Sequence, residues 1–344
     1  LRAARLPRRL IDEFLGWTRR DREGESGKLP WGEIEPPRAE EIVDLDEVID
    51  ERCEARGRRL LDALVCIRLN GGLGTTMKLS RAKSLVPVRE GLSFLQLVAL
   101  QIERLRRRYG CSTPLLLMNS YHTRADSLAA LAQFEQPAGL PLDFLQHKVP
   151  RIARASGRPL ALADEEQSWA PPGHGDIYLA LLLGGLLERL VQQGYRWAFV
   201  SNVDNLAATV EPALLGYLDQ SGVEFAMEVT PKTSADLKGG TLARCRGRLT
   251  LLERAQVEPE HLADFEDFRR LPVFNTNNLW WRLDAMLDRL RRRALELPLI
   301  VNPKRVTGVE VVQLETAMGA AIGCFEAARG IRVGRRRFAP VKAT

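Results

Sequence analysis

The sequence predicts an α/β fold in which a largely parallel sheet is flanked by helices. Two observations lead to this prediction. From residue 64 onward, short apolar runs recur between amphipathic patterns with helical spacing. Polar segments rich in glycine, asparagine or aspartate follow several of the runs, as they do where the strands of a parallel sheet end. Ligands of such sheets bind at the carboxyl ends of the strands, so these segments are the candidates for a binding site.

Six apolar runs are predicted strands, and four longer patterns are predicted helices. The strands cover residues 65–69, 115–118, 197–200, 225–229, 250–252 and 309–312. The helices cover residues 93–109, 177–193, 211–220 and 279–295. Residues 1–60 are polar, with helical patterns near 9–19 and 40–59 on either side of a stretch rich in glycine and proline. We therefore predict an N-terminal helical lead-in over residues 1–60 and one α/β domain over residues 61–344.

Composition narrows the class of protein. A chain of 344 residues buries roughly 75% of its unfolded surface and needs no cross-links. Its five cysteines form no Cys-x-x-Cys pair, which argues against a disulfide framework or a zinc site and favours a reducing cytoplasm. No apolar stretch approaches the roughly 18 residues of a membrane span, so no membrane partner is expected. The net charge of +6 is diluted by 44 acidic residues, so no nucleic-acid partner is expected either.

A glycine loop follows the first predicted strand. Residues 69–75 read Leu-Asn-Gly-Gly-Leu-Gly-Thr, and Lys83 lies a short way downstream. Closely spaced glycines let backbone N–H groups converge on an anion without interference from Cβ atoms. The segment lacks both the Gly-Lys-Ser/Thr ending of a Walker loop and the glycine spacing of dinucleotide folds. Strand, loop and cation together predict a cradle for nucleotide phosphates, whereas the loop alone would be a structural turn more often than not.

Lysines are scarce, since arginine supplies all but eight of the 50 basic residues. Lysine is a compact point charge, whereas arginine is a bulky planar fork, so a site that needs one donor between phosphate oxygens should retain lysine. Three of the lysines stand near candidate motifs: Lys83 follows the glycine loop, Lys238 precedes a glycine pair, and Lys342 lies in the proline-containing tail. These three are candidate phosphate or sugar ligands.

Polar residues also follow the predicted strand 197–200 and precede the predicted helix that starts at residue 177. Asp204 follows the predicted strand 197–200, where it would serve either as a ligand of a divalent cation or as a turn residue. His174 stands between two glycines, so we expect it to be exposed and to face a ligand. Asp176, directly before the helical pattern that starts at residue 177, is expected to be a helix N-cap.

Three asparagines, Asn275, Asn277 and Asn278, gather at the end of another apolar segment. An asparagine side chain both donates and accepts hydrogen bonds, which suits the hydroxyl groups of a sugar. Asn278 precedes the helical pattern over 279–295, so a capping role is the alternative for it. Gly239 and Gly240, next to Lys238, offer bare backbone to the same kind of ligand.

The order and content of these motifs resemble the eukaryotic-type UTP–glucose-1-phosphate uridylyltransferases. The resemblance runs from residue 64 nearly to the last residue, through segments 69–75, 82–84, 117–120, 171–178, 199–206, 235–242, 274–280, 313–320 and 337–342. It implies a glycosyltransferase-A-like nucleotidyltransferase fold, so that residues 61–344 would be the catalytic domain. It also implies dependence on Mg²⁺ and the conversion of UTP and glucose 1-phosphate to UDP-glucose and pyrophosphate. The β-helix domain that follows in this family is expected to be absent from this sequence.

The resemblance assigns roles to individual residues. Lys83 and Lys342 would be catalytic cations, and Asp204 would bind the metal. The nucleotide would be bound by Leu69, Asn70, Gly71, Gly72, Gly74, Met118, Gln146 and Gly173, with Gln146 and Gly173 reading uracil. Glucose 1-phosphate would be bound by His174, Asn202, Lys238, Gly239, Gly240, Asn275 and Asn277. Ala207, which stands where the family usually has glycine, and the atypical residues 78–81 are the departures.

The implied chemistry joins two anions, so it would depend on positioning and charge neutralisation rather than on a covalent enzyme intermediate. Two alternatives stay open at this level. One is a pyrophosphorylase that uses another sugar 1-phosphate, which the asparagine segment disfavours only through the resemblance. The other is a silent binding protein for a UDP-sugar or a nucleic acid, against which Lys83, Asp204 and Lys342 argue.

Overall fold

A computed structural model describes residues 5–72, 82–137, 139–237 and 239–340 of the chain. Its α-helices are α1 (Arg8–Arg22), α2 (Leu45–Val48), α3 (Glu51–Leu60), α4 (Phe94–Tyr109), α5 (Arg124–Ala130), α6 (Ile177–Leu183), α7 (Leu186–Gln192), α8 (Pro212–Gln220), α9 (Leu262–Glu266) and α10 (Leu283–Arg291). Its strands are β1 (Ile34–Glu35), β2 (Ile42–Asp44), β3 (Leu64–Asn70), β4 (Pro87–Arg89), β5 (Leu92–Ser93), β6 (Leu115–Asn119), β7 (Asp143–Leu145), β8 (Val149–Pro150), β9 (Ile152–Ala153), β10 (Arg158–Pro159), β11 (Trp169–Ala170), β12 (Trp197–Asn202), β13 (Phe225–Pro231), β14 (Thr241–Cys245), β15 (Arg248–Leu252), β16 (Val273–Arg282), β17 (Ile300–Val306), β18 (Val309–Glu315) and β19 (Ala328–Arg332).

The main sheet has eight strands in the order β2-β19-β13-β16-β12-β3-β6-β7. Neighbouring strands run parallel except at β16, which is antiparallel to both β12 and β13. The predicted α/β fold with a largely parallel central sheet is therefore confirmed. Since β3, β6 and β12 start on the same side, their carboxyl ends meet at one edge, and the loops that follow them lie together there.

Helices bury both faces of this sheet, which explains why its central strands are continuously apolar rather than alternating. One face packs against α6, α7 and α10 through a core that includes Leu181, Leu187 and Leu287. The other face packs against α4 and α8 through a core that includes Ile102 and Leu215. Two-sided burial fixes the strands rigidly, so the loops at their carboxyl ends extend from a stable base.

Helices α3 and α8 cross at two glycines. A Cβ atom on Gly57 would lie 1.7 Å from the Pro212 carbonyl oxygen, and a Cβ atom on Gly216 would lie 1.9 Å from the Cys53 carbonyl oxygen. Any larger side chain would push the helices apart. Among the described residues, no helix combines the length and the apolar character needed to cross a membrane.

Two predicted helices are corrected by the structure. The pattern over 177–193 is divided into α6 and α7 at Gly184 and Gly185, because Gly185 adopts the left-handed conformation with φ of +67°. The pattern over 279–295 starts too early, since residues 273–282 form strand β16. Leu279, Trp280 and Trp281 are fully buried between β12 and β13, and this non-local pairing overrides the helical spacing of the apolar residues.

The N-terminal residues join the rest of the molecule at several places. The helical pattern predicted near 40–59 is replaced by β2, α2 and α3, and β2 extends the main sheet by pairing with β19. Strand β1 pairs with β14, while Leu10 and Phe14 of α1 pack against Val312 and Leu314 of β18. The division of the chain at residue 60 stays a prediction.

Candidate active site

The glycine loop begins where β3 ends, at Asn70. The backbone N–H of Lys83 donates to the Gly72 carbonyl oxygen at 3.2 Å, which joins the two ends of the loop. A Cβ atom on Gly71 would lie 2.9 Å from Oε1 of Gln146, so the close approach of that side chain favours glycine. Gly74, a predicted nucleotide ligand, lies outside the described residues.

The strand below the loop is fixed by a buried polar network. Nδ2 of Asn70 donates to Oδ1 of Asn119 and to Oγ of Ser127, both at 2.7 Å. Both N–H groups of the Asn70 side chain are thus used within the protein, which leaves the backbone of Asn70 to contact a ligand. Leu69 pairs in register with Met118 on β6 and with Asn202 on β12, so these three predicted site residues are neighbours.

Gln146 and Gly173, which were predicted to read uracil together, are in direct contact. Nε2 of Gln146 donates to the Gly173 carbonyl oxygen at 2.8 Å. Gly173 has φ of +81°, and a Cβ atom there would lie 2.3 Å from the Thr316 carbonyl oxygen. Both the backbone conformation and the close contact require glycine. The contact brings the loop before α6 to the Gly71 end of the glycine loop.

His174 is half-buried rather than exposed, which corrects the expectation from its flanking glycines. The backbone N–H of Met318 donates to Nδ1 of His174 at 2.9 Å, so the proton of a neutral ring resides on Nε2. Burial lowers the pKa of His174 from 6.5 to about 4. At neutral pH the ring is therefore an uncharged donor through Nε2, and it can contact a phosphate without adding positive charge.

Asp176 does not cap α6 with its side chain. Its carboxylate instead accepts the backbone N–H of His147 at 2.7 Å and lies 2.8 Å from Nδ1 of the same residue. The side chain is 1% exposed, compared with 15% for His147. This pair fastens the segment after Gln146 to the loop that carries His174. Sequence reasoning missed His147, although its position directly after Gln146 was a usable signal.

Lys83 and Asp204 form the charged centre of the edge. Nζ of Lys83 lies 2.5 Å from Oδ2 of Asp204, with both side chains mostly shielded from solvent, at 20% and 16% exposure. The Val203 backbone N–H donates to the Leu69 carbonyl oxygen at 3.2 Å, so the loop after β12 starts beside the glycine loop. The predicted cation and the predicted metal ligand are therefore in contact.

Asn275 and Asn277 hold each other at the start of β16. The Asn277 backbone N–H donates to Oδ1 of Asn275 at 2.8 Å, and Nδ2 of Asn275 donates to Oδ1 of Asn277 at 3.0 Å. Asn277 has φ of +58°, next to a register shift in the pairing of β16 with β13. Asn278 lies inside the strand and donates to Glu228, so the alternative that it caps a helix is wrong.

The glycine pair lies beside these asparagines, since the Asn275 backbone N–H donates to the Gly240 carbonyl oxygen at 2.8 Å. A Cβ atom on Gly239 would lie 1.9 Å from the ring of Phe274, and one on Gly240 would lie 2.7 Å from Oε1 of Glu253. Burial raises the pKa of Glu253 from 4.5 to about 7. Sequence reasoning missed Glu253, although it follows the apolar run 250–252. Lys238 lies outside the described residues.

Met318 and Gly319 connect the two groups of predicted ligands. Met318 binds His174 through its backbone N–H, and a Cβ atom on the next residue, Gly319, would lie 3.7 Å from Nδ2 of Asn275. The loop containing Asp204 completes the connection, because Nδ2 of Asn205 donates to Oδ1 of Asn278 at 3.2 Å. The glycine loop, the charged pair and the amide pair are thus linked along one sheet edge. Lys342 lies beyond the part of the chain that the structure describes.

Comparison with known proteins decides the family. The family model described as UTP–glucose-1-phosphate uridylyltransferase matches residues 11–344. The chain belongs to this family. The uridylyltransferase of that name from Hordeum vulgare is 44% identical over 335 residues, which cover 96% of this chain and 71% of that protein. Its counterpart from Solanum tuberosum is 43% identical over 334 residues, which cover 96% of this chain and 70% of that protein.

Solved uridylyltransferase structures share the fold. The open and closed structures of UDP-glucose pyrophosphorylase from Leishmania major match with a TM-score of 0.91 and 38% identity, covering 99% of this chain and 75% of that chain. A point mutant of the same enzyme in complex with UDP-glucose matches with a TM-score of 0.91, 38% identity and the same coverage. The UDP-glucose phosphorylase of Trypanosoma brucei matches with a TM-score of 0.91 and 36% identity, covering 99% and 75% of the two chains.

The donor set of this family member suits a divalent cation that is shared with a substrate. Within the described ranges, no three His, Cys, Asp or Glu side chains are grouped to hold a metal ion. Asp204 supplies a single carboxylate at the edge where phosphates are expected. Cations such as Mg²⁺ bind through one or two carboxylates together with substrate phosphates and water. The single carboxylate of Asp204 would therefore fit a divalent metal that substrate phosphates also bind.

Proposed function

We propose that this chain transfers the uridylyl group of UTP to glucose 1-phosphate, giving UDP-glucose and pyrophosphate. The observation that carries the proposal is the contact between Lys83 and Asp204 beside the glycine loop, linked to the amide pair Asn275 and Asn277 at the same sheet edge. Family membership and the names of the relatives support the same substrates.

The nucleotide is bound by the loops that follow the parallel strands β3, β6 and β7. The backbone N–H groups of Gly71, Gly72 and Gly74 receive the phosphates, because glycine lets an anion approach the main chain. Gln146 reads uracil together with the Gly173 backbone. Leu69, Asn70 and Met118 form the adjoining floor at the ends of β3 and β6.

The sugar of glucose 1-phosphate is bound beside the start of β16, and its phosphate lies toward the end of β12. Asn275, Asn277, Gly239, Gly240 and Lys238 receive the sugar hydroxyls through amides, backbone and one cation. Two further residues, His174 and Asn202, contact the phosphate. Because His174 is neutral and its Nδ1 already accepts a hydrogen bond, it donates through Nε2 and orients the attacking group.

An oxygen of the glucose 1-phosphate attacks the α-phosphorus of UTP, and the bond from that phosphorus to the bridging oxygen of the departing pyrophosphate breaks. The attacking oxygen is already ionised, so no protein base or nucleophile is needed. Lys83 and Lys342 place positive charge where negative charge accumulates, which lowers the barrier electrostatically. Asp204 would hold Mg²⁺, and the ion would supply neutralisation of phosphate charge.

Two further proposals concern the cellular compartment and the extent of the catalytic unit. The five cysteines are unpaired, which supports a reducing compartment, and we propose the cytoplasm. We also propose residues 61–344 as the catalytic unit, with the preceding residues bracing it through β1 and β2.

A product assay across substrates tests the function. The purified chain is incubated with each of four NTPs, several sugar 1-phosphates and Mg²⁺, and nucleotide sugar and pyrophosphate are quantified. We expect equal amounts of UDP-glucose and pyrophosphate from UTP with glucose 1-phosphate. Preference for another sugar 1-phosphate would instead support a different pyrophosphorylase, and binding of UDP-glucose without turnover would indicate a silent binding protein.

A further inference from the structure

A buried ion pair lies behind the site and has no place in the reaction described above. Glu228, in the middle of β13, is 0% exposed, and Arg337 is 6% exposed. Nε and Nη2 of Arg337 donate to the two carboxylate oxygens at 2.8 and 2.7 Å. Nδ2 of Asn278 and Nε1 of Trp280 add two more hydrogen bonds, at 3.1 and 2.9 Å. Glu228 is thus a fully enclosed carboxylate with four donors.

A buried ion pair is by itself weak evidence of a contribution to stability. Removing two charges from water costs about as much as their attraction returns, and well-packed apolar residues often serve equally well. Breaking the pair by removing one partner is costly, because the other charge stays buried. A role for this pair should therefore be found in what it holds in place.

The pair holds the neighbour of Asp204. The Arg337 carbonyl oxygen accepts from Nδ2 of Asn205 at 3.3 Å, and Nη2 of Arg337 donates to the Thr209 carbonyl oxygen at 2.9 Å. The backbone N–H of Ala339 donates to Oδ1 of Asn205 at 3.0 Å. The network therefore hydrogen-bonds to both ends of segment 205–209, which directly follows Asp204.

The same network docks the chain that follows β19. Pro340 forms an isolated β-bridge with Asn205, and the rings of Phe338 and Phe274 lie with centroids 5.0 Å apart. Segment 337–340 is thereby fixed between the loop of Asp204 and the start of β16. The Asp204 loop and segment 337–340, which are distant in sequence, thus meet at the side chain of Asn205. Asn205 is linked to Glu228 through Asn278, which bonds to both residues.

We infer that Glu228 and Arg337 are positioning residues for uridylyl transfer, which act through Asn205 to hold the Asp204 carboxylate and the docked segment 337–340 in their working geometry. The inference rests on the proposed function and deepens it. Both side chains are enclosed by protein, so they act through the residues that they hold. Displacing a reacting group by about 1 Å can cost on the order of 10²-fold in rate, so a positioning pair has a measurable effect.

The chain provides a matched control in Asp219. Its carboxylate is 2% exposed and pairs with Arg56 and Arg196, and it accepts from Nε1 of Trp197 at 3.2 Å. Trp197 begins β12, whereas the Asp204 loop follows the other end of that strand. Asp219→Asn should therefore disturb a similar buried carboxylate at the edge of the sheet away from the site.

The experiment compares Glu228→Gln, the double variant Glu228→Gln with Arg337→Met, and Asp219→Asn with the unmodified chain. We expect both Glu228 variants to lower kcat by roughly tenfold to 10²-fold, with a smaller change in the KM for UTP and a several-fold higher Mg²⁺ requirement. The double variant should regain thermal stability, because no buried charge is left unpaired, without regaining kcat. Asp219→Asn should keep kcat within about twofold.

Amide hydrogen exchange of the substrate-free protein provides a readout that does not depend on turnover. We expect faster exchange in segments 203–209 and 337–340 of both Glu228 variants and unchanged exchange there in Asp219→Asn. Recovery of kcat together with stability in the double variant, an equal loss in Asp219→Asn, or unchanged exchange would each overturn the inference. An unmodified chain that makes no UDP-glucose would refute the proposed function, while the exchange result would still decide whether the pair positions the loop.

Discussion

The two halves of the main sheet build their parts of the site in different ways. Strands β12, β3, β6 and β7 run parallel, so the loops that carry Gly71, Gln146 and Asp204 all follow carboxyl ends that meet at one edge. Strand β16 is antiparallel to its neighbours, so its carboxyl end lies at the opposite edge. It contributes Asn275 and Asn277 from its first half, beside the register shift.

This difference separates two kinds of recognition. The parallel half presents backbone and single charges at strand ends, which suits phosphates. The antiparallel strand β16 presents amides from within its length, and Asn277 is turned by its positive φ of +58°. Asp204 lies where the halves meet, because its neighbour Asn205 bonds to Asn278 of β16. Substitutions in the two halves should consequently affect different substrates, and substitutions at the junction should affect the chemistry.

The largest effect is expected at the junction. Asp204→Asn keeps the shape of the side chain but removes the anion, so we expect turnover to fall by roughly 10²-fold or more while UDP-glucose still stabilises the fold. The measurements are kcat as a function of Mg²⁺ concentration and the thermal shift with UDP-glucose. Near-normal turnover with unchanged Mg²⁺ dependence would show that Asp204 is not the metal ligand.

Lys342 tests the tail beyond Pro340. Lys342→Ala should lower kcat on the order of 10² to 10³-fold, a loss of the same order as that at Asp204, because its ammonium would meet charge that grows in the transition state. Lys342→Arg should rescue little, because the planar fork is larger than an ammonium group. Full activity in the arginine variant would show that any positive charge suffices.

The next prediction tests whether Gln146 and Asn277 recognise different substrates. Gln146→Ala should weaken UTP relative to other NTPs, whereas Asn277→Ala should raise the KM for glucose 1-phosphate, each by about 1 to 3 kcal/mol at its own ligand. Asn277→Gly is the control, since glycine accepts the positive φ and isolates the loss of the amide. If both variants raise the same KM, the sheet does not divide the substrates in this way.

A smaller effect is expected from Glu253, which lies beside Gly240 near the start of β16. Its pKa is raised by burial from 4.5 to about 7 in the folded protein, so the unfolded chain loses the proton first as pH rises. The contribution of this group to stability is therefore full below pH 4.5 and declines as pH rises to about 7. Glu253→Gln should flatten this decline, so its melting temperature relative to the unmodified chain should rise from pH 5 to pH 8. A constant difference would contradict the burial of the acid.

The smallest expected response is that of His174. Its pKa of about 4 predicts that its ring signals in NMR spectra do not shift between roughly pH 5.5 and 8, in contrast to an ordinary histidine with a pKa near 6.5. His174→Gln assigns the signals. Titration of His174 near pH 6.5 would show that the ring is solvated and charged in part, and would alter its proposed role toward phosphate.

Much of the parallel half could be predicted because its signals are local. An apolar strand followed by glycines, or by an aspartate, indicates a site at the strand end without knowledge of the partner strand. Such local patterns predict Lys83 and Asp204 as site residues, and the structure brings them into contact. Strand β16 gave a misleading signal, since Leu279, Trp280 and Trp281 fit a helical pattern until their burial between two strands is known.

The sequence by itself determined the α/β class, the family and the segments that line the sheet edge, because strand patterns, glycine loops and motif order are encoded within short stretches. Only the tertiary structure decided the direction of β16, the burial of His174 and Glu253, and the junction of Glu228, Arg337 and Asn205. Each of these depends on groups far apart in the chain: Glu228 and Arg337 are separated by 109 residues. Pairing direction and desolvation arise only when such groups meet, so no local pattern could have shown them.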